Sequence, residues 1–375
     1  MADAHPPPSV LNLAWLIVNI GFALSVRALT FPFRRAGAPT YRKDVVFAAI
    51  RAMLQRLTIS RSRYINKSAT ETYHDLCKEK GTEPKTVNIN GVIGHWIGSP
   101  DASIVILYLH GGGYTQPCTA GHVQYFQQLV QDMNEGRGDG NSVAVLLLAY
   151  SLAPEAKYPT QLREAATLLT YLLNETKRSP SNIMLTGDSA GGGLSLSLLS
   201  HLLHPHPDIP KISLSEPLRG AFLYSPWVSF CTDQPSFTHN AERDTLVPKT
   251  PHVWSATYLG TSKEDPELDP GPVSGDKYNE PSSAGAEWWE GMHKVVGNVL
   301  VWGGEDEVFI DGLREFGEVF QRGWKAGGGN EERVKLVVTP KSAHVEPILE
   351  EMMFLRGKGE GRVVVEEWLK SCLEK

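Results

Sequence analysis

Cysteine is scarce in this chain of 375 residues. Its four cysteines are widely separated and include no Cys-x-x-Cys pair: Cys77, Cys118, Cys231 and Cys372. A metal site built from them is not expected, and neither is a disulfide framework, because both need clustered or closely spaced cysteines. They are expected to be free thiols, and a single bridge in an oxidising lumen is the alternative.

An excess of positive charge is also missing. The chain has 36 Lys and Arg against 42 Asp and Glu, which gives a formal net charge of −6 at pH 7. No global basic field is therefore available to attract a polyanion, and a nucleic-acid partner is not expected. The overall composition, 41% hydrophobic and 21% charged, is typical of globular proteins.

Apolar runs long enough to approach a bilayer's width are rare, and the one that stands out lies at residues 10–33. It nears the roughly 20 residues that cross a membrane, although Asn12, Asn19 and Ser25 interrupt it. No basic stretch precedes it and no small-residue cleavage site follows it, which disfavours a cleaved signal. We expect residues 1–35 to form a hydrophobic segment that anchors the chain to a membrane, such as the endoplasmic reticulum, or lies in its interface. A soluble, cytoplasmic protein with a cap helix here is the alternative.

The orientation of such an anchor stays open. Arg27, Arg34 and Arg35 follow the apolar run, which favours a cytosolic position for the rest of the chain. Two Asn-x-Ser/Thr sequons, at Asn66 and Asn174, are usable for glycosylation only in a lumenal domain.

The rest of the chain alternates short apolar runs with helical stretches. Continuous apolar runs of four to six residues are typical of strands buried on both faces of a parallel sheet, and βαβ alternation places helices on both faces. We therefore predict an α/β domain over 36–375 with a mostly parallel central sheet. Helical spacing at 36–80 and a Pro- and Trp-rich excursion at 226–292 predict a helical cap. The runs are 104–109, 143–148, 182–186, 220–224, 299–302 and 334–338.

Two glycine motifs follow predicted strands and point to acyl-transfer chemistry. The first is His110-Gly111-Gly112-Gly113, and the second, Gly187-Asp188-Ser189-Ala190-Gly191, has the Gly-x-Ser-x-Gly form of a nucleophile elbow. An elbow holds a serine hydroxyl above the sheet edge, and a glycine loop can direct backbone N–H groups at a developing oxyanion. We expect Ser189 to be the nucleophile. The N–H groups of Gly112, Gly113 and Ala190 are the expected oxyanion donors.

A serine hydroxyl needs a base, and an acid that orients the base. In sheets with such an elbow, the acid and then the histidine follow the serine along the chain. Of the 12 histidines, His344 is the one in a loop after the last predicted strand, so we expect it to be the base. The loop after the preceding strand, 303–311, carries the candidate acids. His201, His204 and His206 follow the elbow too soon and are expected at the surface.

The motifs together resemble the hormone-sensitive lipase family of α/β-hydrolases. They are His110-Gly111-Gly112-Gly113-Tyr114, Tyr150-Ser151-Leu152-Ala153-Pro154-Glu155 and Gly187-Asp188-Ser189-Ala190-Gly191-Gly192. The resemblance covers residues 85–370 and implies a carboxylester hydrolase with a helical cap and no cofactor. The membrane-anchored branch of this family, which includes arylacetamide deacetylases and the fungal sterol deacetylase, also begins with an apolar segment.

The resemblance also selects a candidate acid. The family's block has the form Gly-Glu-x-Asp-x-Leu-x-Asp, and laid on residues 304–311 its catalytic position falls on Glu307, where an aspartate is usual. Asp306 is the alternative if the loop is shifted by one residue. For Asp188, beside the serine, capping of the elbow helix is favoured over a hydrogen bond that tunes the glycine loop.

We therefore expect a serine esterase or deacetylase that cleaves a small-acyl ester of a hydrophobic substrate through an acyl-enzyme. Aromatic residues in and near the excursion, among them Trp227, Trp254 and Trp289, favour a hydrophobic substrate. Two alternatives on the same fold stay open. One is a lyase or cyclase that uses the base without an acyl-enzyme, and the other is a ligand receptor without catalysis.

Overall fold

A single sheet of eight strands forms the centre of the molecule. The structure is a computed structural model and describes residues 7–34, 36–137, 142–261, 270–353 and 357–374. The strands are β1 (Thr86–Ile89), β2 (Val92–Ile97), β3 (Ile104–Leu109), β4 (Val143–Leu148), β5 (Ile183–Asp188), β6 (Gly220–Tyr224), β7 (Val299–Gly304) and β8 (Val334–Thr339). Their order in the sheet is β1-β2-β4-β3-β5-β6-β7-β8. Strands β3 to β8 pair in parallel, whereas β1 and β2 are antiparallel to their neighbours.

The parallel strands are buried on both faces, as their continuous apolar sequences predict. In β3, Leu107 and Leu109 point into one core while Ile106 and Tyr108 point into the other, and all four side chains are fully buried. Alternation along a strand sends successive side chains to opposite faces, so a run that is apolar throughout requires a helix layer on each side.

Helices supply both layers. Helices α6, α7 and α10 contribute to the core on one face, and α2, α4, α5, α11 and α12 contribute to the core on the other. This confirms the predicted α/β-hydrolase architecture. The helices are α1 (Val10–Thr30), α2 (Tyr41–Leu54), α3 (Ile59–Ile65), α4 (Ala69–Glu79), α5 (Ala120–Asn134), α6 (Thr160–Asn174), α7 (Ala190–Leu203), α8 (Pro235–His239), α9 (Lys249–Leu259), α10 (Ile310–Ala326), α11 (Glu346–Met352) and α12 (Glu360–Leu373).

The two antiparallel strands are not among those predicted from the sequence. Strand β1 has the sequence Thr-Val-Asn-Ile and lies at the sheet edge with exposed positions, and β2 contains Gly94 and His95. Neither is a continuous apolar run, so the criterion that found the six parallel strands does not detect them.

The surface placement expected for the histidines after the elbow is wrong for two of them. His201 is fully buried and His206 nearly so. The Nδ1 atom of His201 accepts the backbone N–H of His206 at 3.0 Å, and its Nε2 lies 3.1 Å from the carbonyl of Pro210. This imidazole closes a turn after α7 by satisfying backbone groups, which is a structural role.

The N-terminal apolar segment is a helix that lies largely outside both cores. The stretch Val10–Phe33 is long and apolar enough to cross a membrane. Leu16 is its buried residue, whereas Leu11, Phe22 and Leu29 are 81%, 70% and 77% exposed. Such a surface is unusual for a helix that packs only against protein.

The two predicted cap segments differ in structure. Helices α2, α3 and α4 occupy most of 36–80, while 226–292 contains α8, α9 and short 3₁₀ turns. Residues 262–269 of the second segment lie outside the described residues. The division into an N-terminal segment at 1–35 and a capped hydrolase domain at 36–375 stays a prediction.

The central strands should carry much of the stability. Leu107→Ala removes a fully buried side chain from β3, so we expect the free energy of unfolding to fall by about 2–5 kcal/mol. Leu29→Ala is the matched control because Leu29 is 77% exposed, and a change within about 0.5 kcal/mol is expected. Urea unfolding followed by tryptophan fluorescence measures both, and equal losses would contradict the core assignment.

Candidate active site

The loops that follow the parallel strands meet at one edge of the sheet. Parallel strands end on the same side, so the segments after β3, β5, β6, β7 and β8 converge there. They carry, in chain order, the glycine loop, Ser189, Ser225, Glu307 and His344. Distant parts of the sequence are brought together by the register of the sheet alone.

Ser189 occupies the sharp turn between β5 and α7. Its backbone is in a strained region, with φ 51° and ψ −119°, which is rare for a residue with a side chain. The turn is held by close backbone approaches. A Cβ on Gly187 would lie 2.2 Å from the carbonyl of Gly191, and one on Gly191 would lie 1.9 Å from the carbonyl of Leu109. Both positions therefore require glycine, as the elbow motif predicts.

The structure brings His344 to Glu307. The Nδ1 atom of His344 lies 2.8 Å from Oε2 of Glu307, and both side chains are almost completely buried. The other carboxylate oxygen, Oε1, accepts the backbone N–H of Gly304 at 3.0 Å. The carboxylate is thus fixed by its own loop and orients the imidazole, leaving Nε2 for a different partner.

Asp306 has a different partner. Its carboxylate forms an ion pair with Arg243 at 3.1 Å, on the outer side of the loop. Glu307, and not Asp306, is therefore the carboxylate in contact with the imidazole. The glutamate's catalytic role stays a prediction.

Electrostatics favour the charged form of this imidazole. Burial lowers the pKa of His344, but the hydrogen bond and the negative charge of Glu307 outweigh that penalty, so the pKa of His344 lies above 6.5. Burial raises the pKa of Glu307, and His344 counteracts this. A base whose protonated form is stabilised accepts a proton from a hydroxyl more readily.

Asp188 fixes the glycine loop. Its Oδ1 accepts the backbone N–H of Gly111 at 2.9 Å and the hydroxyl of Tyr108 at 2.7 Å, and its Oδ2 lies 3.3 Å from Nε2 of His122. The expectation that Asp188 caps the elbow helix is therefore wrong, and the alternative of a bond to the glycine loop is correct. Burial would raise the pKa of Asp188, but His122 and Tyr108 hold it below its usual value.

The imidazole of His122 was not identified from the sequence. Its Nδ1 accepts the backbone N–H of Thr119 at 3.2 Å, so the proton of a neutral ring resides on Nε2 and faces Asp188. With both nitrogens engaged, His122 serves as a donor to a carboxylate and is not available as a base. Its only sequence signal is its position three residues after Thr119.

The predicted oxyanion donors lie beside Ser189. Gly112 and Ser189 line the same cavity, and Ala190 is the first residue of α7, whose N–H has no partner within the helix. Gly113 follows Gly112 with φ 59°. Their role in binding an oxyanion stays a prediction.

Ser225 is a further residue that the sequence analysis did not assign. It lies directly after β6 with φ 43°, its Oγ accepts the backbone N–H of Val345 at 3.1 Å, and its hydroxyl donates to the Glu307 carboxylate. It links Glu307 to the loop that carries His344. The preceding strand was visible in the sequence, but no motif marked the serine.

A cavity of about 200 Å³ opens over Ser189 and His344. Its floor is polar, and its walls are apolar side chains from both predicted cap segments and from α11. Of the aromatics expected near a pocket, Trp254 lines it, whereas Trp227 and Trp289 are buried in the core. The apolar wall residues are Ile50, Met53, Leu54, Leu57, Leu246, Trp254, Ile348, Leu349 and Met352.

No cluster of three or more His, Cys, Asp or Glu side chains suited to a metal ion exists among the described residues. None of the four cysteines, all of which lie among the described residues, forms a disulfide, and three of them are buried.

Comparison with known proteins agrees with this geometry. A family model described as "alpha/beta hydrolase fold" matches residues 106–346. LipR of Mycobacterium tuberculosis, a protein named as an acetyl-hydrolase, is 33% identical over 202 residues, which cover 52% of this chain and 59% of that protein. Arylacetamide deacetylase of Bos taurus is 30% identical over 146 residues, 38% of this chain and 34% of the relative. The chain thus spans between about a third and three fifths of these relatives.

Solved structures share the whole fold. An esterase from the bacterial hormone-sensitive lipase family superposes with a TM-score of 0.60 at 23% identity, over 98% of this chain and 99% of that one. At this identity the likeness concerns the architecture of the chain.

The two neighbouring carboxylates of the acid loop can be separated by mutation. Glu307→Gln removes the charge that orients the imidazole, and we expect kcat for an acyl ester to fall by about 10⁴-fold. Asp306→Asn, the matched control, breaks a partly exposed ion pair and should leave kcat close to that of the wild type. Steady-state hydrolysis of a p-nitrophenyl ester measures both, and the reverse order of effects would assign the acid to Asp306.

Proposed function

The chain belongs to the α/β-hydrolase fold family, as its resemblance to hormone-sensitive lipases implies, and from this premise we propose that it is a serine carboxylester hydrolase with Ser189, His344 and Glu307 as its triad. The observation that carries the proposal is the 2.8 Å contact between His344 and Glu307, on an imidazole that shares its cavity with the strained Ser189.

The reaction begins with proton transfer from the serine. Nε2 of His344 accepts the hydroxyl proton of Ser189 as Oγ attacks the ester carbonyl carbon, and the carbonyl oxygen becomes an oxyanion. As the tetrahedral intermediate collapses, the C–O bond to the alcohol breaks, and the imidazolium gives its proton to the leaving alkoxide. Water, activated by the same imidazole, then hydrolyses the acyl-enzyme and regenerates the serine.

The oxyanion is stabilised by backbone N–H groups. Those of Gly112, Gly113 and Ala190 are the proposed donors, and losing one such donor typically lowers the rate by about 100- to 1,000-fold. Asp188 supports this arrangement, because its bond to Gly111 fixes the loop that presents two of the donors.

The proposed substrate is a small-acyl ester of a hydrophobic alcohol. The cavity's volume of about 200 Å³ is below the roughly 300–1,000 Å³ of pockets for drug-sized ligands, which favours a short acyl chain. Its walls are mainly aliphatic and aromatic, which favours an apolar partner. The names of two relatives, an acetyl-hydrolase and an arylacetamide deacetylase, support the same substrate class.

Ser189→Ala tests the acyl-enzyme mechanism. We expect turnover of p-nitrophenyl acetate to fall by about 10⁶-fold, because the nucleophile is lost while the base and the cavity remain. A fluorophosphonate probe should label the wild type and not this variant. Ser371→Ala is the control, since Ser371 is an exposed residue of α12 far along the chain from the site, and it should behave as wild type.

The alternatives give different results in the same assay. A lyase or cyclase that uses only the base retains its activity in Ser189→Ala, and a ligand receptor shows neither turnover nor labelling in the wild type. Either result would overturn the esterase proposal.

We further propose that residues 10–33 bind a membrane. The exposed apolar surface of α1 supports this, as does the attachment of its C-terminal end to the rest of the molecule, where Arg27 pairs with Asp44 at 2.8 Å and with Glu242 at 3.0 Å. Asn174 is exposed, whereas Asn66 lines the cavity and donates to Ser62. A glycan is therefore compatible with Asn174 in a lumenal protein and incompatible with the observed contacts of Asn66.

Carbonate extraction of cell membranes tests this proposal. The full chain should remain in the membrane pellet if α1 spans the bilayer, and it should be released only by carbonate if α1 lies in the interface. Deletion of residues 1–35 should leave the protein in the supernatant. Ile65→Ser, at an exposed apolar residue outside α1, is the control and should fractionate as wild type. Recovery of the full chain in the low-salt supernatant would contradict membrane binding.

A further inference from the structure

A third carboxylate lies buried behind the proposed triad. Asp244, which precedes α9 in the second cap segment, has no exposed surface. Its Oδ1 accepts the backbone N–H groups of His344 at 3.0 Å and Thr245 at 2.6 Å, and its Oδ2 accepts that of Val308 at 2.8 Å. The sequence analysis gave this residue no role.

Two of these donors belong to the loops of the proposed acid and base. Val308 directly follows Glu307, and the second N–H is that of His344 itself. One side chain therefore joins the segment after β7 to the segment after β8 at the two residues whose separation sets the His344–Glu307 contact.

Neighbouring residues of the same segment support the acid loop from the same side. The side-chain amide of Asn240 donates to the carbonyls of Glu305 at 3.0 Å and Glu307 at 2.9 Å, and Arg243 pairs with Asp306. The backbone carbonyl of Asp244 in turn accepts a hydrogen bond from Arg51 of α2. Asp244 is thus held in place by one cap segment and covered by the other.

Burying a carboxylate has a high desolvation free energy, which a purely structural link between two loops does not require. Among the described residues no Lys or Arg side chain forms an ion pair with Asp244, so its carboxylate is satisfied by backbone N–H donors and the hydroxyl of Thr245. A carboxylate can accept from donors on both loops at once, whereas an amide of the same size has one acceptor oxygen and one NH₂ group. The site therefore requires two acceptor atoms on one rigid group.

We propose that Asp244 is a positioning residue that sets the geometry of the acid and the base by binding the backbone of both loops. This inference rests on the proposed esterase function. Asp244 does not line the cavity and does not touch the substrate, so its effect is on the step that uses His344 and not on ester binding.

The charge of Asp244 also affects the imidazole. The charged groups that raise the pKa of His344 are Glu307, Asp244 and Asp188, against the lowering by burial. Arg51 of α2 and His122 of α5 face these carboxylates from the other packed elements. Removal of the Asp244 charge should therefore lower the pKa of His344, and the acid limb of the kcat/KM profile should move to lower pH.

Asp244→Asn tests the proposal in the full-length protein with p-nitrophenyl acetate. We expect kcat to fall by about 100-fold, since a small misplacement of reacting groups has an effect of that size, while KM stays near its wild-type value. The acid limb should shift to lower pH. Glu242→Gln, which removes a largely exposed carboxylate two residues away, should change neither kcat nor the pH profile.

Asp244→Glu separates charge from geometry and is informative even if the asparagine variant does not fold. It keeps the negative charge but lengthens the side chain, so kcat should remain low while the acid limb returns to its wild-type position. Fluorophosphonate titration counts active sites and corrects for misfolded protein. Wild-type kcat in either folded variant, or an unshifted acid limb in Asp244→Asn, would overturn the proposal. Absence of turnover in the wild type would instead overturn the esterase function.

Discussion

The site depends on the parallel register of β3 and β5–β8. Because these strands end at one edge, residues separated by up to 234 positions, from the glycine loop at His110 to His344, lie in loops that adjoin each other. The strands are held by full burial between two helix layers, so the edge is rigid. Hydrogen bonds between the loops, such as that from the backbone N–H of Val345 to Oγ of Ser225, hold the loops rigidly at this edge.

Three buried carboxylates surround this edge of the sheet, and each is satisfied differently. Asp188 accepts from a tyrosine, a backbone N–H and an imidazole. Glu307 accepts from Gly304, Ser225 and His344. Asp244 accepts from backbone N–H groups and the hydroxyl of Thr245. Burial of negative charge is tolerated where several donors converge, and these donors lie on the loops that surround the site. The hydrogen bonds that compensate for burying each carboxylate are therefore the same ones that hold the loops in position.

The sequence predicts the parts of the molecule that have local signals. Continuous apolar runs predict the six parallel strands. Glycines mark Ser189 and the glycine loop in the sequence, because close backbone approaches at these positions exclude side chains. The position of His344 follows from chain order. Glu307 required the family's pattern, because three neighbouring carboxylates have equivalent local sequence.

Other residues were not predictable because their partners are distant in the chain. Asp244 binds Val308 and His344, 64 and 100 residues away, and neither contact leaves a trace in the local sequence. His122 is recognisable only once Asp188 lies next to it. The capping role first assigned to Asp188 was reasonable from helix propensity, and tertiary contact with Gly111 overrides it.

Trp254 and Gly113 are linked in a way that constrains how this protein can evolve. A Cβ on Gly113 would lie 2.1 Å from the indole of Trp254, so a side chain at this position, already strained by the positive φ, also requires the indole to move or to become smaller. The reverse order is open, since a smaller residue at 254 leaves Gly113 undisturbed. Substitutions at the two positions are therefore epistatic, and divergence of this pocket has a preferred order, with the cap residue changing before the glycine loop.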